Sequence, residues 1–256
     1  MMDWVVKNKP PIVILENVCS APWDRVQKIF EKKGYKATFV RFDTKNYYIP
    51  HTRTRVYLFA HLNSSKTMCQ QWIDSVKSLA RPSSSPLEAF LIPIDDPRVH
   101  RARQELAYQL NERGERKGGR TDWGRCESRH QRARLEEGLG NKRPLTIWEE
   151  GGMCTLPDCA WNDWGKNQTE RVLDLMDIDY LRLAVKGVDP TYKTLVWNLS
   201  QNVDRTTGSV RPGICPCLTP TMIPFITNRG GPMIGLEALS LQGIPVDELL
   251  LTKETE

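Results

Sequence analysis

Hydrophobic and polar positions near the start of the chain fall into blocks that predict alternating strands and helices. Residues 12–15 (Ile-Val-Ile-Leu) are an apolar, β-branched run that stops at Glu16-Asn17, as in a strand buried on both faces. In an open parallel sheet ligands sit beyond the carboxyl ends of strands, and Glu16 lies there. Residues 21–33 carry Pro22 near the start and Val26, Ile29 and Phe30 at helical spacing, and Gly34 is the stop. Residues 37–42 predict the next strand, 45–50 a polar loop and 55–60 a third strand. Arg53 and Arg55 alternate at its entrance and so point to one side.

Further on, residues 64–80 predict a helix with Ser64 as N-cap and an apolar face of Met68, Trp72, Ile73, Val76 and Leu79. The RPSSSP stretch at 81–86 has a linker's composition. Residues 167–186 are strongly apolar and helical, with an expected break at 177–180 and Asp179 capping a second helix. Asp174, Asp177 and Asp179 lack the histidine or glycine-loop companions of a metal site and are expected to be solvated. Residues 225–229 predict a short strand and turn, and 236–242 a helix with Glu237 early in it and Gly243 ending it. The last four residues, KETE, are expected to be disordered.

A chain of 256 residues holds one large domain or one and a half, and 39% hydrophobic content is ordinary for a globular protein. No apolar run approaches the roughly 18–20 residues that span a bilayer, and the start lacks a signal-peptide pattern. Seven cysteines without regular spacing suit a reducing, intracellular compartment. The net charge of +5 is concentrated: residues 98–143 hold thirteen Lys or Arg against seven Asp or Glu. Such a stretch is either a DNA-contacting insertion, with Arg129, Arg132 and Arg134 on phosphates, or a solvated loop of mixed charge. Cys126, Cys154, Cys159, Cys215 and Cys217 do not match a standard zinc spacing, and no metal is expected. Trp148, Trp161 and Trp164 are read as a small core in preference to a base-stacking surface.

The order ENV, helix, strand, then R-x-R-V-Y-L-F at 53–59 resembles the cytosine-C5 DNA methyltransferases. The late segment PCLTPTMIPFITNRGGPMIGLEALSLQGIP is similar to the same family's L-T-x…E-A-x-x-L-Q-G-x-P motif, with a spelling similar to a fungal or algal branch. The resemblance covers about residues 1–62 and 211–248. It implies an α/β fold: part of a Rossmann-like methyltransferase sheet (1–62), a mixed, helix-rich recognition subdomain (63–210) and a return segment (211–256).

The resemblance also assigns roles. A nucleophile attacking C6 of cytosine needs the ring's developing charge neutralised at N3 and O2. Glu16, its carboxyl kept protonated by burial, would donate to N3, and Arg55, with Arg53, would orient it and approach O2. Asn17 would buttress the loop that carries the nucleophile, and Arg229 would reach a DNA phosphate. His51 stands where the family usually has Gln, which bears on loop packing. The F-x-G-x-G turn for S-adenosylmethionine, the Pro-Cys nucleophile loop and the final G-N-x-V segment are not in this sequence, and neither Cys69 nor Cys217 has the strand-then-loop setting of a nucleophile. The chain is therefore read as the C-terminal portion of a nuclear enzyme, inactive alone and completed by a missing N-terminal segment or a second chain. A non-catalytic DNA-binding remnant and a tRNA cytosine methyltransferase remain as alternatives.

Overall fold

Two compact units, Met1–Ser85 and Pro86–Glu256, make up the chain. The computed structural model describes residues 2–62, 66–82, 85–115, 123–148, 154–155, 164–165, 168–205 and 212–247. The Ser64 cap, Cys159, Trp161 and the KETE tail lie outside them.

In the first unit, helix α1 (Met2–Asn8) leads into strand β1 (Ile12–Asn17), followed by α2 (Trp23–Lys32), β2 (Tyr35–Asp43), β3 (Thr54–Leu62) and α3 (Lys66–Ser78). Gly34, with φ of 90°, ends α2 and starts β2 within two residues, a geometry that a side chain would strain. The strand order is β1-β3-β2, and β3 runs antiparallel to both neighbours. β1 and β2 thus run the same way, as in a βαβ unit, but the third strand is inserted between them in reverse.

Side-chain alternation divides this sheet into two faces. Val13, Leu15, Tyr35, Ala37, Val56, Leu58 and Ala60 pack with Val5 of α1 and Trp23 and Phe30 of α2. On the other face Trp72 of α3 stacks on Phe59 at 5.1 Å and meets Phe42 edge-on at 6.3 Å. This cover does not reach β1, where Ile12 and Ile14 are 50% and 59% exposed. The expectation of a strand buried on both faces is corrected accordingly. Met68 of α3 and Leu79 just past its end are exposed, so the buried stripe is narrower than the apolar pattern.

The second unit forms around one buried helix. Among the described residues its helices include α4 (Pro97–Glu115), α5 (Trp123–Glu136), α6 (Glu170–Ala184) and α7 (Gly235–Ser240). Its strands form a pair, β4 (Ile147–Trp148) with β5 (Cys154–Thr155), and an antiparallel sheet of β6 (Val196–Asn198), β7 (Pro224–Ile226) and β8 (Gly231–Pro232). Every residue of α6 from Val172 to Asp179 is buried. Trp197 and Trp164 each stack on Phe225 at 5.8 Å within this core, which accounts for Trp164 as a packing residue.

Helix α6 runs without a break through 177–180. The aspartates that read as a helix boundary are instead buried within it. An acidic residue on a buried face mimics a cap in the sequence, because both are polar interruptions of an apolar run.

Candidate functional site

Antiparallel insertion of β3 brings the start of that strand to the carboxyl end of β1. Glu16 lies opposite Tyr57 and Asn17 opposite Val56, so Arg55 comes alongside Glu16. Arg55 Nε is 3.1 Å from Glu16 Oε1, and Arg55 Nη1 donates to the Thr54 carbonyl at 2.8 Å. Both side chains stand on the sheet face that carries Phe59 and Tyr57.

Glu16 is 40% exposed, so the burial expected of it is absent. Asn17 Oδ1 accepts from Val18 N at 2.8 Å, and the Val18 carbonyl accepts from the Trp23 indole at 3.0 Å. These two bonds fix the turn that follows Glu16 to the start of α2. Arg53 stands before β3 rather than in it, so the strand alternation invoked for its side chain does not apply. Its backbone amide donates to Asp43 Oδ1 at 3.2 Å, and its carbonyl accepts from Thr44 Oγ1 at 3.0 Å.

In the second unit the site residues expected from sequence separate into two groups. Arg134 is buried: its Nη2 donates to Asp174 Oδ1 at 2.6 Å, and its Nη1 to the carbonyls of Gly140 and Lys142 at 2.9 and 3.1 Å. Arg229 Nη1 donates at 2.6 Å to Glu237, whose carboxylate also accepts from the backbone amides of Ile92 and Ile234. Burial pushes the Glu237 carboxyl up, against those donors. Both guanidiniums are thus engaged by a carboxylate within this unit, Arg134 buried and Arg229 18% exposed. Arg129 is exposed, and Arg132 is 59% exposed and 3.8 and 3.7 Å from Glu136 and Asp204. These two remain on the outer side of α5, while His130, Ala133 and Arg134 face inward.

The aspartates expected to be solvated form the polar centre of this unit. Asp177 is fully buried and accepts from the amides of Leu145 and Thr146 at 2.8 and 3.0 Å, from the Thr146 hydroxyl, and from Arg143 Nε at 3.0 Å. Arg143 also pairs with Glu170 at 2.5 Å. Burial pushes the Asp177 carboxyl up against the pull of these donors. Asp174 accepts from His130 Nδ1 at 2.7 Å and from Arg134. A sequence signal existed: buried carboxylates need partners, and a basic, polar stretch beside an apolar helix with three aspartates supplies them.

For Asp174, burial pushes the carboxyl up, and the hydrogen bonds from His130 and Arg134 more than reverse this, leaving it below the usual carboxylate range. A lowered folded value makes its stabilisation complete above the ordinary carboxyl range and lost as pH falls through the folded value. Unfolding of the wild-type chain and of Asp174→Asn across pH is expected to show their stability gap narrowing from neutrality to below about pH 4. A constant gap would contradict this assignment.

Cys215 and Cys69 are poorly placed as nucleophiles. Cys215 is buried and donates to the Pro216 carbonyl at 3.3 Å, and burial pushes its thiol up to about 12. Burial also raises Cys69, on α3. Among the described residues no cluster of three or more His, Cys, Asp or Glu is placed to hold a metal ion, and no helix is long and apolar enough to cross a membrane.

A family model described as C-5 cytosine-specific DNA methylase matches residues 1–168. The chain is 57% identical over 258 residues to a protein of Cryptococcus neoformans var. grubii named DNA (cytosine-5-)-methyltransferase DMT5. It is 32% identical over 266 residues to the Verticillium dahliae protein of the same name. Both alignments take in the whole of this chain, which spans 11% of the length of each relative. Among solved structures, the S. pombe Dnmt2 methyltransferase is similar over 36% of this chain and 32% of its own, at 20% identity and a TM-score of 0.31.

Proposed function

Because this chain belongs to the C-5 cytosine-specific DNA methylase family, we propose that its first unit holds the cytosine ring in a DNA (cytosine-5-)-methyltransferase. The observation that carries the reading is the Glu16–Arg55 pair, at 3.1 Å where β1 ends, with Glu16 partly exposed. Attack at C6 drives negative charge onto N3 and O2. Glu16, in its protonated form, donates to N3, and the permanent cation of Arg55 orients that carboxyl and faces O2. Arg53, at the same strand entrance, adds a second cation, and Asn17 fixes the turn beside the base.

S-adenosylmethionine would supply the electrophilic methyl group. Among the described residues no glycine-rich turn follows a strand in the way that such a cofactor requires, so the described residues do not fit it. The reading therefore has the cofactor site and the attacking thiolate supplied from outside these 256 residues, in the same polypeptide or a partner chain. Its support is the chain's 11% share of its relatives' length and the unsuitability of Cys69 and Cys215. On this reading the isolated chain transfers no methyl group, and the complete protein works in the nucleus.

The test is methyl transfer by a protein that carries this chain at the full length of its relatives, with duplex DNA and tRNA as competing substrates. Transfer to DNA cytosine that is lost on substitution of Glu16 supports the proposal. Transfer to tRNA alone, or undiminished transfer without Glu16, rejects it.

DNA contact by the second unit is assigned to Arg129 and Arg132 on the outer side of α5. Replacing both by alanine is expected to reduce the salt slope of duplex binding by about two. Arg134→Ala is expected to act on stability instead. An unchanged slope in the double variant would leave α5 without a DNA role.

A further inference from the structure

The guanidinium of Arg55 is aimed by a relay of hydrogen bonds that begins on another strand. Asp43 ends β2, and its side chain is 15% exposed. Asp43 Oδ1 accepts from the backbone amides of Arg53 at 3.2 Å and Lys45 at 3.4 Å. Asp43 Oδ2 accepts from Thr54 Oγ1 at 2.9 Å, with Lys45 Nζ at 3.6 Å. The Thr54 carbonyl in turn accepts from Arg55 Nη1, while Arg55 Nε faces Glu16. A planar guanidinium held at Nη1 by Thr54 and at Nε by Glu16 is restrained at two points, so a shift of Thr54 changes how Arg55 meets Glu16.

We propose that Asp43 is a positioning residue for the Glu16–Arg55 pair. Through Thr54 it holds the entrance of β3 so that Arg55 meets the Glu16 carboxyl, although it does not itself touch the pair. This rests on the function proposed above for its catalytic consequence, but the geometric claim stands on the hydrogen bonds alone. Asp43 Oδ1 ties down the backbone on both sides of the 44–53 loop, and Oδ2 ties down the hydroxyl. Removing all three bonds leaves the segment that presents both arginines held by Thr44 on the Arg53 carbonyl and by strand pairing alone. A carboxamide in place of the carboxylate keeps an acceptor for the amides, and the Thr54 hydroxyl, which both donates and accepts, then accepts from the amide group. The relay therefore depends on hydrogen-bond geometry rather than on the charge of residue 43.

The experiment uses Asp43→Ala, Asp43→Asn and Thr54→Val, with Glu16→Gln as reference. In this chain, the Arg55 Nε–Hε resonance reports the ion pair. Asp43→Ala is expected to move it toward its position in Glu16→Gln, Thr54→Val to move it part of the way, and Asp43→Asn to leave it near the wild-type position. In the full-length protein, Asp43→Ala is expected to lower kcat on the order of ten- to a hundredfold, the size of effect that misplacing a reacting group produces. KM for duplex DNA should stay within about twofold, and Asp43→Asn should restore most of kcat. Thr54→Val removes one hydroxyl and keeps the assay informative should Asp43→Ala fail to fold. An Arg55 resonance that ignores both Asp43→Ala and Thr54→Val overturns the proposal. A resonance that moves as expected, in an enzyme indifferent to Glu16→Gln, upholds the positioning and rejects only the catalytic reading.

Discussion

Replacing Asp177 by alanine is expected to destabilise the second unit by about 3–5 kcal/mol, the cost of removing one partner from a buried ion pair. The carboxylate is fully buried and serves two backbone amides, a hydroxyl and a guanidinium at once. Its loss leaves the amides of Leu145 and Thr146 without an acceptor, each a burden of about 1–3 kcal/mol when water is excluded. Arg143 keeps Glu170, which limits the electrostatic part of the loss. Asp177→Asn retains an oxygen for the two amides and is expected to cost less than half as much. Urea unfolding of the chain, followed by the near-ultraviolet signal of the Trp164–Phe225–Trp197 stack, measures both. Hydrogen exchange at Leu145 and Thr146 should accelerate in Asp177→Ala before the rest of the core. A loss below about 1 kcal/mol would mean that the network is solvated after all.

Glu16→Ala is expected to behave in the opposite manner, with little effect on stability and a large one on transfer. The Glu16–Arg55 pair is partly exposed to water, so its net contribution to folding should be no more than about 0–1 kcal/mol. In the full-length protein, removing a group that neutralises charge at N3 should lower kcat by about 10²- to 10⁴-fold, with DNA affinity changed only a few-fold. Single-turnover methyl transfer and duplex binding, measured on the same variant, separate the two effects. Equal losses in affinity and rate would make Glu16 a binding group, and a large fall in unfolding stability would make it a structural one. Arg55→Ala should follow Glu16→Ala in direction, because the two groups act on one carboxyl, and the double variant should lose less than the product of the singles.

How each element was legible depended on whether its partners were local. The turn from α2 into β2 was readable because Gly34 and the helical spacing of Val26, Ile29 and Phe30 are properties of a short stretch. The strand ending at Glu16-Asn17 was readable for the same reason, as were the two arginines ahead of the R-V-Y-L-F run. The reversed direction of β3 was not, since an alternating pattern is the same read from either end and the neighbouring strand is chosen by packing. Burial of the aspartates in α6 was also hidden. A carboxylate at a helix boundary and one inside an ion-pair network look alike until residues more than thirty positions away are seen to approach.

The sequence by itself determined the strands and helix around Glu16 and the arginines, the family to which the chain belongs, and the residue types available for cytosine chemistry. Local periodicity, turn residues and short motifs carry that information along a few neighbouring positions. Only the tertiary structure decided that Arg55 faces Glu16, that Asp43 bonds to Arg53 and Thr54, and that Arg134 pairs with Asp174 and Arg229 with Glu237 whereas Arg129 and Arg132 stay outside. Those outcomes depend on strand direction and on which buried carboxylate claims which cation, and both are settled by long-range packing and desolvation rather than by any local stretch of the chain.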